Sequence, residues 1–259
     1  MNLLFVADVV GKSGRTALAA GLARLRGERA IDFTIVNCEN AAGGFGVTAE
    51  IAQGFFDLGA DVLTSGNHVW DKREVYEYLE REPRLLRPAN YPSGNPGRGW
   101  TVRPAAGLRL AILNLQGRVF MASIDCPFRR ADQLLREQAG QYDLVFVDFH
   151  AEATAEKVAF GWYVDGRVTA VVGTHTHVQT ADARILPGGT AYITDAGMTG
   201  PLDGVIGVKK ELAIERFLRQ TPNRFEVAGD DLRCMGVIVE VDEESRRARR
   251  IEPFSLAVS

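Results

Sequence analysis

The four histidines of the chain, His68, His150, His175 and His177, each stand just after an apolar run of strand length rather than inside one. Asp8, Glu39, Asn40 and Asn67 occupy the same kind of position after earlier runs. Together they offer carboxylate oxygens, amide oxygens and imidazole nitrogens, the donor types from which a site for two divalent cations is built. Two such cations about 3.5–4 Å apart repel strongly, so a carboxylate must bridge them and further donors must complete each shell. Glu39 is the candidate bridge, because an acidic group ending a buried strand is costly unless it is paired or bound to metal. Asp8 supplies the other carboxylate, His150, His175 and His177 the borderline nitrogens, and Asn40 and Asn67 hard amide oxygens. Such mixed shells suit Mn or Fe, accommodate Zn, and do not suit Ca or Cu(I). Blander readings exist for single residues: Asp8 as a turn or cap residue before Gly11, Asn40 and Asn67 as turn formers. Four histidines in equivalent positions, with matching carboxylates, outweigh them.

Two local spacings refine this picture. In Gly173-Thr174-His175-Thr176-His177, residues two apart on extended chain project to one face, so both imidazoles are expected to reach the same metal pair. In Gly66-Asn67-His68, adjacent residues of a turn diverge, which lets Asn67 bind metal while His68 faces substrate as a general acid. Asp71 either orients His68 or caps the helix after it. Glu152 and Glu156 are expected to line the start of a solvated helix, and Cys38 to be a small buried hydrophobe. Gly11-Lys12-Ser13 is not a phosphate loop, because Val6 stands where the first Walker glycine belongs.

The elements that must position these groups alternate along the chain. Apolar runs at Leu3–Ala7, Phe33–Val36, Val62–Thr64, Leu108–Leu115, Leu144–Phe149, Val168–Val172, Ala191–Thr194 and Met235–Val241 read as strands. Helical spacing is expected over Arg15–Arg26, Thr48–Leu58, Arg73–Arg81, Arg129–Ala139, Ala153–Tyr163 and Lys209–Gln220. Pro88–Gly99 is dense in Pro, Gly and Asn and reads as a surface loop. The charged run Asp242–Arg250 reads as an exposed hairpin or edge strand. Strands with helices between them imply an α/β layered fold with functional groups at the carboxyl ends of strands. Because the later strands follow each other closely, two packed sheets flanked by helices are the preferred form, within a single domain over residues 1–259.

A length of 259 residues with 46% hydrophobic and 24% charged residues supports a sizeable core and excludes wholesale disorder. A net charge of −3 gives no basic surface for long nucleic acids. No apolar stretch has the eighteen or so residues of a membrane helix, and Met1–Val10 reads as a first strand rather than a leader. Three cysteines, far apart and without CxxC spacing, fit a reducing cytoplasm.

Asp8, Gly66-Asn67-His68, His150-Ala151 and Gly173-Thr174-His175-Thr176-His177 resemble the successive motifs of the calcineurin-like metallophosphoesterases. Five separated motifs, in order along nearly the whole chain, resemble the YmdB-like bacterial phosphodiesterases more closely. They are Phe5-Val6-Ala7-Asp8-Val9-Val10-Gly11, Asn37-Cys38-Glu39-Asn40-Ala41-Ala42-Gly43-Gly44, Gly66-Asn67-His68-Val69-Trp70-Asp71, Arg87-Pro88-Ala89-Asn90-Tyr91-Pro92 and His150-Ala151-Glu152-Ala153-Thr154. The resemblance implies a four-layer α/β/β/α sandwich of the metallophosphoesterase type, with two mixed sheets flanked by helices. It also implies hydrolysis of small cyclic nucleotides, chiefly 2',3'-cyclic nucleoside monophosphates, to 3'-nucleotides. Carried over by position, Asp8, Glu39, Asn40 and His177 hold one metal, Glu39, Asn67, His150 and His175 the other, and His68 is the proton donor opposite a metal-bridging hydroxide. The wider superfamily has His where Val10 stands and usually Asp where Glu39 stands; the YmdB-like group shares both substitutions, and there Asn40 takes up the vacant coordination. Exposed loops and the family likeness are compatible with a homo-oligomer. A phosphoprotein phosphatase or nuclease on the same metal centre, and a nucleotide-sensing signalling protein, are the rival readings.

Overall fold

The structure, a computed structural model, describes residues 1–258. In chain order the elements are β1 (Asn2–Val6), α1 (Gly11–Glu28), β2 (Phe33–Asn37), α2 (Ala49–Asp57), β3 (Val62–Thr64), a 3₁₀ turn (Asn67–Trp70) and α3 (Val75–Arg81). There follow β4 (Trp100–Ala105), β5 (Leu108–Gln116), α4 (Pro127–Glu137), β6 (Leu144–His150), α5 (Thr154–Val164), β7 (Ala170–Thr174), β8 (Arg184–Ile185) and β9 (Ala191–Ile193). The chain continues through β10 (Gly200–Pro201), α6 (Lys210–Arg219), β11 (Leu232–Val241) and β12 (Ala248–Ala257).

Side-chain alternation along the strands builds the layers. In β1 and the residue after it, Leu3, Phe5 and Ala7 join one apolar cluster while Leu4 and Val6 join another. In β6, Leu144 and Phe146 share the first cluster while Val145 and Val147 enter a third. The first cluster therefore lies between two sheets, where the Phe5 and Phe146 rings stack with centroids 5.5 Å apart. Leu18, Leu22, Phe55 and Leu79 from α1, α2 and α3 cover the far face of one sheet; Leu134 and Phe160 from α4 and α5 cover the far face of the other. Each fully buried Leu or Phe contributes about 1.5–3 kcal/mol. The result is the four-layer α/β/β/α sandwich, and both sheets are mixed.

In the first sheet β1, β2 and β3 run parallel, with β11 antiparallel to β1 and joined to β12 by a hairpin. In the second, β5, β6, β7 and β9 run parallel, edged by antiparallel β4 and β8. Besides the two-residue strands β8 and β10, which the sequence reading lacked, two departures bear on packing. Helix α1 starts at Gly11 rather than Arg15. Its early glycines do not break the helix: a Cβ on Gly14 would lie 2.5 Å from the Thr199 carbonyl, so the helix needs glycine there to pack against that strand end. Strand β4 was hidden behind the proline-rich loop, and its Pro104 is tolerated because β4 pairs on one side only.

Candidate metal centre

The parallel strands bring their carboxyl ends to one rim. Asp8 follows β1, Glu39 and Asn40 follow β2, Asn67 follows β3, His150 is the last residue of β6, and His175 and His177 follow β7. Residues far apart in sequence meet there. The Nε2 atom of His150 lies 3.0 Å from Glu39 Oε1, 3.0 Å from Asn67 Oδ1 and 3.0 Å from His175 Nδ1. Donor atoms of Glu39, His150 and His175 all fall within 4.8 Å of one another. On the other side, Asp8 Oδ2 accepts the backbone N–H of His175 at 3.0 Å and lies 3.5 Å from His177 Nε2. Asn40 donates its amide to the Gly44 carbonyl at 2.9 Å.

Whether this set fits cations can be judged from its unmet bonds. Asp8 Oδ1 and Asn40 Oδ1 are buried with no hydrogen-bond partner, a costly state for acceptors unless something else binds them. Charge makes the same demand. Asp8, Glu39, Asp148 and Asp195 are all buried, and the cationic groups buried with them are Lys157 and the His150 imidazole. Burial pushes the Asp8 carboxyl well above its usual value, with Glu39, Asp195 and Asp148 adding to the rise and His150 opposing it. Burial would also raise Glu39, but the neighbouring His150 holds it below the usual carboxylate range. His175 is pushed down to about 3 by burial and by His150, which leaves its ring neutral and able to donate a lone pair.

The His175-Thr176-His177 segment corrects one premise of the sequence reading, that the chain is extended there. Strand β7 ends at Thr174, and His175 and His177 adopt left-handed φ values of 102° and 65°. The period-two rule of extended chain therefore does not apply, and the two imidazoles come to the rim by separate turns, His175 beside His150 and His177 beside Asp8. His175 reaches His150 and Glu152 Oε2, the latter at 3.1 Å, while the Nδ1–H of His177 donates to the Ile206 carbonyl at 2.9 Å. Strained conformations of this kind persist where the surroundings over-determine them, and here Asp195 does so. Its Oδ2 accepts from Thr176 N at 3.1 Å, Thr176 Oγ1 at 2.8 Å and Lys157 Nζ at 2.7 Å. The reading of the sequence missed Asp195 and Lys157, although Asp195 follows the apolar run of β9 just as the other site residues follow theirs. Replacing Lys157 by Met leaves Asp195 as an unpaired buried charge, with an expected cost of about 3–5 kcal/mol. Urea unfolding of the two proteins measures this, and a difference under about 1 kcal/mol would deny the pair its structural role.

A second buried carboxylate aims His150. Asp148 accepts from Asn37 Nδ2 at 2.9 Å, Thr64 Oγ1 at 2.5 Å and Thr174 Oγ1 at 2.7 Å. Since the Thr174 hydroxyl proton goes to Asp148, its oxygen accepts the Nδ1–H of His150, 2.9 Å away. That places a proton on Nδ1 and turns Nε2 to Glu39 and Asn67, where the carboxylate of Glu39 keeps the ring protonated against the effect of burial and a bound cation would take the place of the Nε2 proton. Thr174→Val keeps the shape and removes the hydroxyl; metal affinity is expected to fall about 10–100-fold. Metal titration with retained fold, judged by circular dichroism, measures it.

His68 and Asn67 occupy the 3₁₀ turn and diverge. The His68 backbone N–H donates to Glu39 Oε2 at 3.1 Å, while its ring Nδ1 lies 2.8 Å from Asp71 Oδ2 and its edge meets Phe45 at 5.0 Å. Glu74, not Asp71, is the residue before α3, so Asp71 serves His68. The two glutamates read as a solvated helix start have other partners. Glu152 precedes α5, which begins at Thr154, and reaches His175. Glu156 accepts from the backbone N–H of Arg118 and Val119, pinning the loop after β5. The donors open into a cavity of about 330 Å³, floored by Glu39, Asn40 and His175 and walled by Phe45, Phe225 and Val227.

Comparisons with known proteins agree with this layout. The chain is 50% identical over 252 residues to the 2',3'-cyclic-nucleotide 2'-phosphodiesterase of Bacillus subtilis (strain 168), covering 97% of this chain and 96% of that one. Among solved structures, a hypothetical protein from Thermus thermophilus superposes with a TM-score of 0.93 at 40% identity, covering 99% of both chains. A novel phosphatase from Mycoplasma pneumoniae superposes with a TM-score of 0.94 at 35% identity, over 99% of this chain and 93% of its own. The YmdB-like protein family matches residues 4–254, and the chain belongs to that family.

Proposed function

We propose that this protein is a metal-dependent phosphoric diester hydrolase that opens 2',3'-cyclic nucleoside monophosphates to 3'-nucleotides, with residues 1–259 acting as one catalytic domain. The observation that carries the reading is the convergence of seven oxygen and nitrogen donors from five strand ends, with Asp8 Oδ1 and Asn40 Oδ1 left unpartnered. Asp8, Glu39, Asn40 and His177 would hold one divalent cation and Glu39, Asn67, His150 and His175 the second, with Fe or Mn best suited to the donors and Zn also compatible. Bound there, the cations would supply activated water and Lewis-acid stabilisation of the phosphate charge.

The chain's own residues do the rest. Asp71 occupies Nδ1 of His68, leaving Nε2 for the cavity. From that position His68 delivers a proton to the departing 2' oxygen, which leaves poorly as an alkoxide. The mixed apolar and polar cavity, with Phe45 and Phe225 in its wall, suits a single nucleoside better than a duplex. The three cysteines are all unpaired, the state a reducing cytoplasm maintains, and we assign the protein to it. Among the described residues no helix is long and apolar enough to cross a membrane.

A substrate panel tests the assignment. Protein with its metals analysed after anaerobic purification is given 2',3'-cAMP, 3',5'-cAMP, a phosphopeptide and single-stranded DNA. The expected result is two metal equivalents per chain and preferential turnover of 2',3'-cAMP to 3'-AMP. Preference for the phosphopeptide or DNA moves the protein to a phosphatase or nuclease, and nucleotide binding without product makes it a sensor.

A further inference from the structure

A second cavity, of about 460 Å³, lies on the α4 side of the second sheet and takes no part in the chemistry above. Arg87, Arg118, Arg129 and Arg130 line it, against the single carboxylate of Asp125. Among the described residues none of the four guanidiniums forms an ion pair. Arg87 is 7% exposed and bonds only backbone carbonyls, those of Pro88, Asn95 and Pro96. Arg130 donates to the Ala89 carbonyl and to Gln133. Burial and the neighbouring Arg130 hold the Arg87 guanidinium below its ordinary value, which marks an environment lacking a counter-charge.

The helix beneath adds to this field. Cys126, Arg129, Arg130 and Gln133 line the cavity with the three-and-four spacing of one helical face, starting at the N-terminus of α4. That end has Pro127 in its first turn, no side-chain cap and no acidic residue. A helix N-terminus favours anions, and planar guanidiniums match phosphate oxygens two at a time. Arg118 and Arg129 are exposed and free to swing onto an incoming group, whereas Arg87 is fixed by its carbonyls.

The geometry points to a phosphate-binding site in this cavity, separate from the metal centre, that takes the phosphoryl group of a nucleotide or another phosphorylated small molecule. Tyr91 stands in the wall of this cavity and packs edge-on against Trp70, 5.3 Å away, in the turn that carries His68. Two sources of the group are therefore distinguishable by experiment: an additional phosphate of a substrate longer than a mononucleotide, or a free phosphorylated ligand.

The test uses the metal-loaded full chain and the double variant Arg118→Glu/Arg129→Glu, with Arg24→Glu/Arg81→Glu as a control reversing two exposed helix charges elsewhere. Inorganic pyrophosphate is titrated by calorimetry, and crystals are soaked in tungstate. The expected result is tungstate density among the four arginines and a pyrophosphate-binding event lost, or weakened at least about tenfold, in the first variant but not the control. Since all three proteins keep the same metal centre, anion binding there cannot produce that difference. Tungstate only at the metals, or equal pyrophosphate binding in all three, overturns the site. A kinetic arm then assigns the source, and it alone rests on the function proposed above. With binding lost, a fall in kcat/KM for a 5'-phosphorylated dinucleotide ending in a 2',3'-cyclic phosphate, but not for 2',3'-cAMP, makes the bound phosphate the substrate's own. Unchanged kcat/KM for both makes it a free ligand's. Failure of all turnover in the wild type would count against the proposed activity and leave the calorimetric result standing.

Discussion

His68→Ala lowers turnover of 2',3'-cAMP by about 10²–10⁴-fold, the range of general acid catalysis, with metal content close to that of the wild type. The separation of the two effects follows from where the residue makes its bonds. Its link to the proposed metal centre is the backbone N–H that donates to Glu39 Oε2, and alanine retains that group. Its side chain instead meets Asp71 and the edge of Phe45. The Asp71 pair is partly exposed, with side chains 26% and 42% accessible, so its loss costs no more than about 1 kcal/mol of stability. A diester with a p-nitrophenolate leaving group sharpens the test, because that group departs without a proton. His68→Ala is expected to slow this substrate far less than 2',3'-cAMP. Equal losses on both substrates, or loss of metal from the purified variant, would remove His68 from the role of proton donor.

How much of the site could be read from the sequence depended on distance along the chain. Polar residues that end apolar runs are visible locally, because a strand must stop somewhere and an ionisable group at its end needs a partner. That logic located Asp8, Glu39, Asn67 and His150, and it applies equally to Asp195, which was passed over beside the more conspicuous histidines. The alternating layers were legible for the same reason, since Leu3, Phe5 and Ala7 against Leu4 and Val6 is a local pattern. The path of His175-Thr176-His177 was not. Its left-handed turns are imposed by Asp195, Lys157 and the Ile206 carbonyl, none of them neighbours in sequence. Asp148 was hidden differently: it sits inside the apolar run of β6, and only the meeting of β2, β3 and β7 around it reveals its three donors. Edge strand β4 was lost because Pro104 argues against a strand unless the open edge is already known.

Gly66→Ala is expected to cost at least one metal equivalent per chain and to lower turnover by about 10³-fold or more, the equivalent of about 4 kcal/mol of lost transition-state stabilisation. A Cβ at this position would lie 2.2 Å from His150 Cδ2, 2.3 Å from His150 Nε2 and 2.4 Å from Glu39 Oε2. The φ of Gly66 is −150°, outside the left-handed region, so the demand for glycine is steric. Neither neighbour can give way. His150 is held from behind through Thr174 and Asp148, and Glu39 is buried and held by the His68 backbone N–H. The methyl group must therefore displace the two side chains that face each other across the proposed metal position, or push the turn carrying Asn67 and His68 outward. Either outcome separates Glu39, Asn67 and His150, which now meet at 3.0 Å. Overpacking by one methyl costs about 1–3 kcal/mol, too little to unfold a core this extensive, so the variant is expected to purify as a folded, metal-poor protein. Gly54→Ala is the control: it lies inside α2 with nothing within 4 Å of the added Cβ, and it should keep full metal and activity while gaining about 0.5–1 kcal/mol. Elemental analysis, turnover and thermal unfolding of the two variants side by side measure all of this. A Gly66→Ala protein with two metals and wild-type rate would show that Glu39 and His150 do not hold the metals from the positions described.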